Sequence, residues 1–260
     1  MKAKNLFILL LFCLAMQVQA GEVSYYFWQG KLSGNKVRLA CAVQDGVMTG
    51  EMFEQVDGAQ RNYSVAGLWS DGMFDIKVYA EGDGYGVDYA YFLRAKVKDN
   101  ELKGILQPSG KSFSLKKFSD PYARRIDRES GAYSSPYIED KVYRFSGWDH
   151  GGEYVYQNAA GVTGKLELWG NTDGTDTFRL SILRHADGNG RGSDAIVDAS
   201  HVKLPRYGDF EYTIPYCSYT FKVTFYDHFL VVRTLAGNAA QCFGSGAAIT
   251  GIYVLIPAKG

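Results

Sequence analysis

The chain has 260 residues, with 28 Lys and Arg against 28 Asp and Glu, so its formal net charge at pH 7 is zero. Charges of both signs are spread evenly, and the sequence has no basic stripe that could follow nucleic-acid phosphates or dock on an anionic membrane. Nucleic acid is therefore not an expected partner. Abundant glycine, 15% aromatic residues and the absence of long helical periodicity favour an all-β protein.

The first twenty residues have the pattern of a secretory signal peptide. Lys2 and Lys4 give a basic start, residues 6–15 form a short apolar run, and residues 18–20 offer a small-x-small cleavage site. No later run reaches the roughly eighteen apolar residues of a transmembrane helix. We therefore expect residues 21–260 to be exported without a membrane span, to a periplasm or to the cell surface, with a net charge of about −2 once the two lysines are removed.

Residues 21–118 predict eight short strands separated by turns such as Asp45-Gly46 and Asp99-Asn100. Strands in simple hairpin order can close into a barrel, which leaves no exposed edge. An eight-stranded barrel has room for its own side chains or for one small ligand. The expected strands are 24–28, 36–43, 47–53, 63–68, 74–78, 89–98, 102–106 and 112–116.

Residues 119–140 break this pattern with Pro, Gly and a charged run, and they predict a short polar linker. Residues 141–260 again predict β-strands punctuated by glycine turns, ending in the nearly all-apolar run 249–256, which we expect to be buried. The sequence thus predicts an all-β protein with two antiparallel β-barrel or sandwich domains. The expected strands of the second domain are 142–145, 153–157, 165–169, 177–183, 195–202, 211–216, 219–225, 229–235 and 249–256.

Three cysteines remain after the expected signal peptide. Cys217 and Cys242 flank neighbouring strands of one module, and in an oxidising compartment we expect them to form a disulfide. Closing that loop would stabilise the fold by roughly 3–4 kcal/mol. Cys41 is interpreted as a buried free thiol, with a reactive thiol or a different disulfide partner as alternatives.

Two stretches carry a resemblance to known proteins. Cys217, the strand 229–233, the corner Cys242-Phe243-Gly244 and the closing Gly251-Ile252-Tyr253 resemble a C-terminal two-cysteine module of exported bacterial proteins, in or near the lysozyme-inhibitor-like group. Residues 46–53 likewise resemble the repeating glycine rhythm of exported bacterial barrels. This resemblance implies a β fold and a protein partner such as a cell-wall hydrolase.

The most catalytic-looking stretch is Trp148 to Tyr154. It places Asp149, His150 and Glu153 around a glycine turn, from which a general acid/base pair could be built. Such residues are also common where a β-strand begins, and their spacing matches no established catalytic triad. No nucleophile elbow, phosphate loop or dinucleotide fingerprint is present in the sequence.

Residues 187–194 resemble a calcium loop, with Asp187, Asn189 and Asp194 as oxygen-bearing candidates. Arg191 places a cation where a ligand is needed, and the closing Glu is absent. A polar hairpin loop is therefore the favoured interpretation. The four histidines have no zinc-site spacing, so neither a metal nor a cofactor is expected.

Aromatic residues are the remaining candidates for contact with a ligand or partner. Residues 25–28 are four consecutive aromatics, so two of them must face away from the barrel interior. Tyr89 and Tyr91 fall on one face of an alternating strand. Exposed rings suit a glycan, a lipid or a protein partner, whereas packing between the two domains is the alternative. The candidate contact residues are Tyr25, Trp28, Tyr89, Tyr91 and Trp148.

We therefore expect an exported, non-enzymatic binding protein of inhibitor-like or envelope-interaction type, with a protein or a small glycan or apolar ligand as its partner. One alternative is an enzyme that acts on cell-wall or glycan substrates through Asp149, His150 and Glu153. Another is a carrier that holds a small apolar ligand in the first barrel.

Overall fold

The computed structural model describes residues 24–82, 86–118, 152–159, 161–183, 194–204, 209–226, 229–243 and 249–256. Apart from one short helix, α1 (Ala239–Phe243), the regular elements in these residues are β-strands. None of their helices is long and apolar enough to cross a membrane. The expected signal peptide, residues 1–20, and the expected linker, residues 119–140, lie outside the described residues.

The first domain is a closed barrel of eight antiparallel strands, each hydrogen-bonded to the next in chain order. β1 also pairs with β8, through Gly30 and Leu115 among others, which closes the ring. The expected hairpin-ordered barrel is thus confirmed. The strands are β1 (Ser24–Leu32), β2 (Asn35–Gln44), β3 (Val47–Val56), β4 (Ala59–Ser70), β5 (Met73–Glu81), β6 (Val87–Lys98), β7 (Glu101–Gln107) and β8 (Ser112–Lys117).

The barrel interior is filled by its own side chains. Every second residue of a strand points inward, and among these Trp28, Met48 and Met52 have no solvent-accessible surface. The Trp28 indole donates a hydrogen bond to the Asn100 carbonyl oxygen at 2.9 Å. Since a side chain without accessible surface borders no water-sized void, the middle of the barrel is a packed core.

The second domain is an eight-stranded antiparallel sheet built from two four-stranded meanders, which join where β9 pairs with β16. Its strands are β9 (Gly152–Gln157), β10 (Thr163–Gly170), β11 (Asp176–Leu183), β12 (Asp194–Val202), β13 (Phe210–Ile214), β14 (Tyr219–Phe225), β15 (Phe229–Ala236) and β16 (Gly251–Ile256).

This second sheet curls around its own core. The rings of Phe178 on β11 and Phe210 on β13 lie 5.6 Å apart, although five strands separate β11 from β13 in the order of the sheet. The edge strands β12 and β13 are not paired with each other in the described residues. The domain is therefore barrel-shaped with one open seam, and the prediction of two antiparallel β domains is confirmed.

Cys217 and Cys242 form the expected disulfide, with their Cα atoms 5.6 Å apart. The bond ties the turn between β13 and β14 to helix α1. Cys41 is a free thiol buried in the first barrel, as interpreted from the sequence. Burial raises the pKa of this thiol, which leaves it protonated and poorly nucleophilic.

The two domains pack back to back through their outer faces. β15 and β16 send alternate side chains into the second core and toward the barrel, so Phe229–Val232 of β15 and Ile252–Val254 of β16 are buried on both faces. The Arg233 guanidinium also donates to the Asp45 carbonyl oxygen at 3.3 Å. We call this contact the domain junction; its apolar members are Val47, Ala66, Leu68, Tyr79, Phe229, Val231, Ile252 and Val254.

Candidate functional site

The aromatic run at the start of β1 divides between the two faces of the barrel wall. Tyr26 and Trp28 stack inside the barrel, with ring centroids 4.9 Å apart. Tyr25 and Phe27 take the alternate positions and are only partly buried. Trp28 therefore belongs to the core and has no exposed surface that could contact a partner. The prediction that Trp28 is a contact residue is wrong.

Tyr89 and Tyr91 lie on opposite faces of β6, although simple alternation placed them on one face. A register shift pairs Val78 with Tyr91 but Tyr79 with Tyr89, so one residue of β6 is bulged between them. Tyr89 packs at the domain junction, whereas Tyr91 points into the barrel. The sequence left two interpretations open for Tyr89, contact with a ligand or partner and packing between the domains. In the structure Tyr89 packs between the domains.

The stretch that looked catalytic is only partly described. Trp148, Asp149 and His150 lie outside the described residues. Glu153 lies on the outer side of β9, where its carboxylate is 2.6 Å from the Lys165 ammonium. In the described residues Glu153 is thus one member of a half-exposed ion-pair network.

The loop that resembled a calcium site also falls mostly outside the described chain. Asp187 and Asn189 are not described, and Asp194 is the first residue of β12. Over the parts of the chain that the structure covers, no group of three or more His, Cys, Asp or Glu side chains converges as a metal site would require.

A buried lysine crosses the domain junction. The Lys77 side chain on β5 is 8% exposed, and its ammonium nitrogen donates to the Ile252 carbonyl oxygen on β16 at 2.8 Å. The same nitrogen lies 4.2 Å from the centroid of the Tyr156 ring and 5.9 Å from that of Tyr89. Burial lowers the pKa of Lys77 to about 7, and the charge of Asp75 opposes that shift.

A glycine makes this arrangement possible. A Cβ atom built on Gly251 would lie 2.5 Å from a carbon of the Tyr156 ring, closer than real atoms approach. Without that Cβ the ring can lie over β16, beneath the lysine. Lys77 is enclosed by the two domains. This position suits a residue that holds the domains together, whereas a reactive amine would have to be accessible to a substrate.

One exposed candidate surface is the outer face of β10, β11 and β12, which takes no part in the domain junction. Glu167, Arg179 and Asp198 lie in register across the three strands, and Arg179 is 2.8 Å from the Asp198 carboxylate. Trp169 on β10 and Ile196 on β12 are 40% and 58% exposed. We call this surface the β10–β12 face.

The β10–β12 face offers contacts but no reaction machinery. Trp169 and Ile196 lie on opposite sides of the charged row, so they are two separate exposed apolar side chains next to ordered charges. Trp169 and Ile196 were not identified from the sequence as contact residues. The sequence did contain a signal for Trp169. It is out of phase with the core residues Leu166 and Leu168 on the same strand, which places its side chain on the outer face.

No protein-family model, no curated protein and no solved structure matches this chain, so its function is inferred from the arrangement of its own side chains.

Proposed function

We propose that this protein is an exported, non-enzymatic binding protein that recognises a protein partner through the β10–β12 face. The observation that carries the proposal is the pair Trp169 and Ile196, both well exposed beside the charged row of Arg179 and Asp198. Trp and Arg are the side chains most enriched among the residues that dominate binding energy at protein interfaces.

Export is supported by the signal-like start of the chain and by a cysteine pair at bonding distance, which persists in oxidising compartments. The kind of partner is supported by the two-cysteine module, whose resemblance implies a cell-wall hydrolase. A rigid, largely pre-formed sheet surface also suits an inhibitor, since little order has to be gained on binding.

The two alternatives have less support. A carrier needs a cavity, but Met48 and Met52 fill the middle of the first barrel without accessible surface. An enzyme would need Glu153 free to exchange protons with a substrate, whereas Lys165 holds it in an ion pair.

We expect the double variant Trp169→Ala, Ile196→Ser to bind its partner at least about tenfold more weakly, because a truncated interface Trp commonly costs more than 2 kcal/mol. The measurement is biolayer interferometry of residues 21–260 against a lysozyme and a panel of peptidoglycan hydrolases, with purified peptidoglycan in parallel. Leu235→Ser is the matched control, since Leu235 is 47% exposed on β15, away from this face.

Loss of hydrolase binding in the double variant, with the Leu235 control unchanged, would support the proposal. Binding to peptidoglycan alone would assign a glycan partner instead. Wild-type affinity in the double variant would show that the β10–β12 face is not the binding surface.

A further inference from the structure

A carboxylate is buried inside the first barrel, near the end that carries the turn 33–34. Met48, Met52 and Glu54 point inward in succession along β3, and Glu54 is 3% exposed. Its Oε1 atom accepts hydrogen bonds from the Asn35 amide, at 2.9 Å, and from the Tyr91 hydroxyl. The barrel interior therefore changes from apolar in its middle to polar at this end.

Glu54 takes part in none of the ion pairs in the described part of the chain. Arg61 is paired directly opposite it across β3 and β4, but that side chain is exposed and forms no ion pair with the carboxylate. A buried carboxylate is costly unless it is paired with a cation and fully hydrogen-bonded. Both of its donors, Asn35 and Tyr91, are neutral groups, and both use Oε1. Within the described residues Oε2 receives no hydrogen bond, so it remains a free acceptor.

Two tyrosines belong to this end of the barrel, Tyr91, which donates to Glu54, and Tyr63. Tyr63 pairs with Met52 across β3 and β4, and with Tyr91 it packs against the barrel core. Burial and the hydrogen bond to Glu54 raise the pKa of Tyr91, so its hydroxyl stays protonated and acts as a donor. Asn35, Tyr63 and Tyr91 are only partly buried, so this end of the barrel borders solvent.

We propose that this end of the first barrel binds a small organic ammonium ion. An ammonium group is recognised by a carboxylate together with the faces of aromatic rings, and it would supply the charge that Glu54 lacks. The packed core beyond Met52 limits the ligand to a short chain or a compact quaternary group. This site lies on the first domain and is independent of the β10–β12 face.

The test uses n-butylammonium chloride and tetramethylammonium chloride as probes, titrated into ¹⁵N-labelled residues 21–260. We expect saturable shifts of the Asn35 side-chain amide, with affinity at least about tenfold lower in Glu54→Gln, which keeps the shape but removes the charge. Butan-1-ol, the neutral analogue, should produce no saturable shift.

Tyr63→Leu provides a second variant that leaves the buried carboxylate in place, and it should weaken binding of tetramethylammonium by about threefold or more. The proposal is overturned if neither ammonium probe binds saturably, or if butan-1-ol or calcium chloride produces the same shifts. It is also overturned if Glu54→Gln binds as wild type does. Should Glu54→Gln fail to fold, unchanged binding in Tyr63→Leu would overturn it.

Discussion

Replacing Lys77 with Met is expected to abolish a rise in stability that the wild-type protein shows between pH 7 and pH 9. Lys77 is buried between the two domains, and its folded-state pKa is lowered to about 7 from an ordinary value of 10.5. The cause is desolvation. The junction removes water from the ammonium group, and the only hydrogen bond that this group donates within the described residues goes to the Ile252 carbonyl oxygen.

The sign follows from proton counting. Between pH 7 and about 10 the unfolded chain keeps the Lys77 proton while the folded protein has released it, so the unfolded state binds more protons and stability rises with pH. Below pH 7 both states are protonated, and the full cost of the buried charge is present. The slope should approach about 1.4 kcal/mol per pH unit above pH 8, which amounts to roughly 2 kcal/mol between pH 7 and pH 9, because half of the folded protein still carries the proton at pH 7.

Other groups that face Lys77 act outside this window. Asp75, two residues away on β5, has a raised pKa because of burial, and it affects stability only in acid. The hydroxyls of Tyr89 and Tyr156, from β6 and β9, have raised pKa values and lower stability only above about pH 10. Cys41, whose pKa is raised by burial, opposes the rise near pH 9, but it does so equally in the wild type and in Lys77→Met. The difference between these two proteins from pH 7 to pH 9 therefore isolates the lysine.

The measurement is urea unfolding of residues 21–260 at pH 7, 8 and 9 for the wild type, Lys77→Met and the control Lys96→Met, whose side chain is exposed on β6. The wild type and the control should gain stability with pH, and Lys77→Met should be nearly flat. Equal slopes for the wild type and Lys77→Met would mean that Lys77 is hydrated in the folded protein.

Lys77 also shows where prediction from the sequence ends. The alternation of residues 74–78 correctly places Ile76 inside the barrel and Lys77 outside. An outside lysine is expected in solvent, yet here the outer face is covered by another domain 175 residues further along the chain. Strand alternation reports which face of one sheet a residue occupies, and it carries no information about what packs on that face.

The same distinction runs through the rest of the fold. Hairpin order and turn residues predicted the first barrel, because neighbouring strands are joined by short turns whose signals are local. The bulge that separates Tyr89 from Tyr91 could not be predicted, since it depends on pairing with β5. The buried carboxylate of Glu54 was missed because the predicted strand ended at residue 53, and because its hydrogen-bond donors come from β2 and β6.

Replacing Gly50 with Ala is expected to destabilise the first barrel by more than about 3 kcal/mol, at or above the usual cost of overpacking a core. Gly50 lies between the inward-facing Met48 and Met52 on β3. A Cβ atom there would lie 2.0 Å from the Ala40 carbonyl oxygen and 2.8 Å from the Cys41 Cα atom. Both obstacles are backbone, so no side chain can rotate away, and β2 and β3 would have to separate.

The physical reason is the tight coiling of a small barrel. Strands that curve sharply crowd the atoms on their inner side, and glycine at such points relieves the crowding. Gly104 on β7 repeats the arrangement, since its Cβ would lie 2.1 Å from the Arg94 carbonyl oxygen. The sequence marked Gly50 as part of a glycine rhythm, but its role becomes clear only from the approach of β2.

Gly86→Ala is the matched control, because Gly86 is exposed and, its chain neighbours aside, no atom of the described residues lies within 4 Å of its would-be Cβ. Its stability should stay within about 0.5 kcal/mol of the wild type. Urea unfolding gives both values, and hydrogen exchange of the β2 and β3 amides locates the change. If Gly50→Ala were as stable as Gly86→Ala, β2 and β3 would lie further apart than the closed barrel allows, and the packed interior that argues against a ligand carrier would have to be abandoned with it.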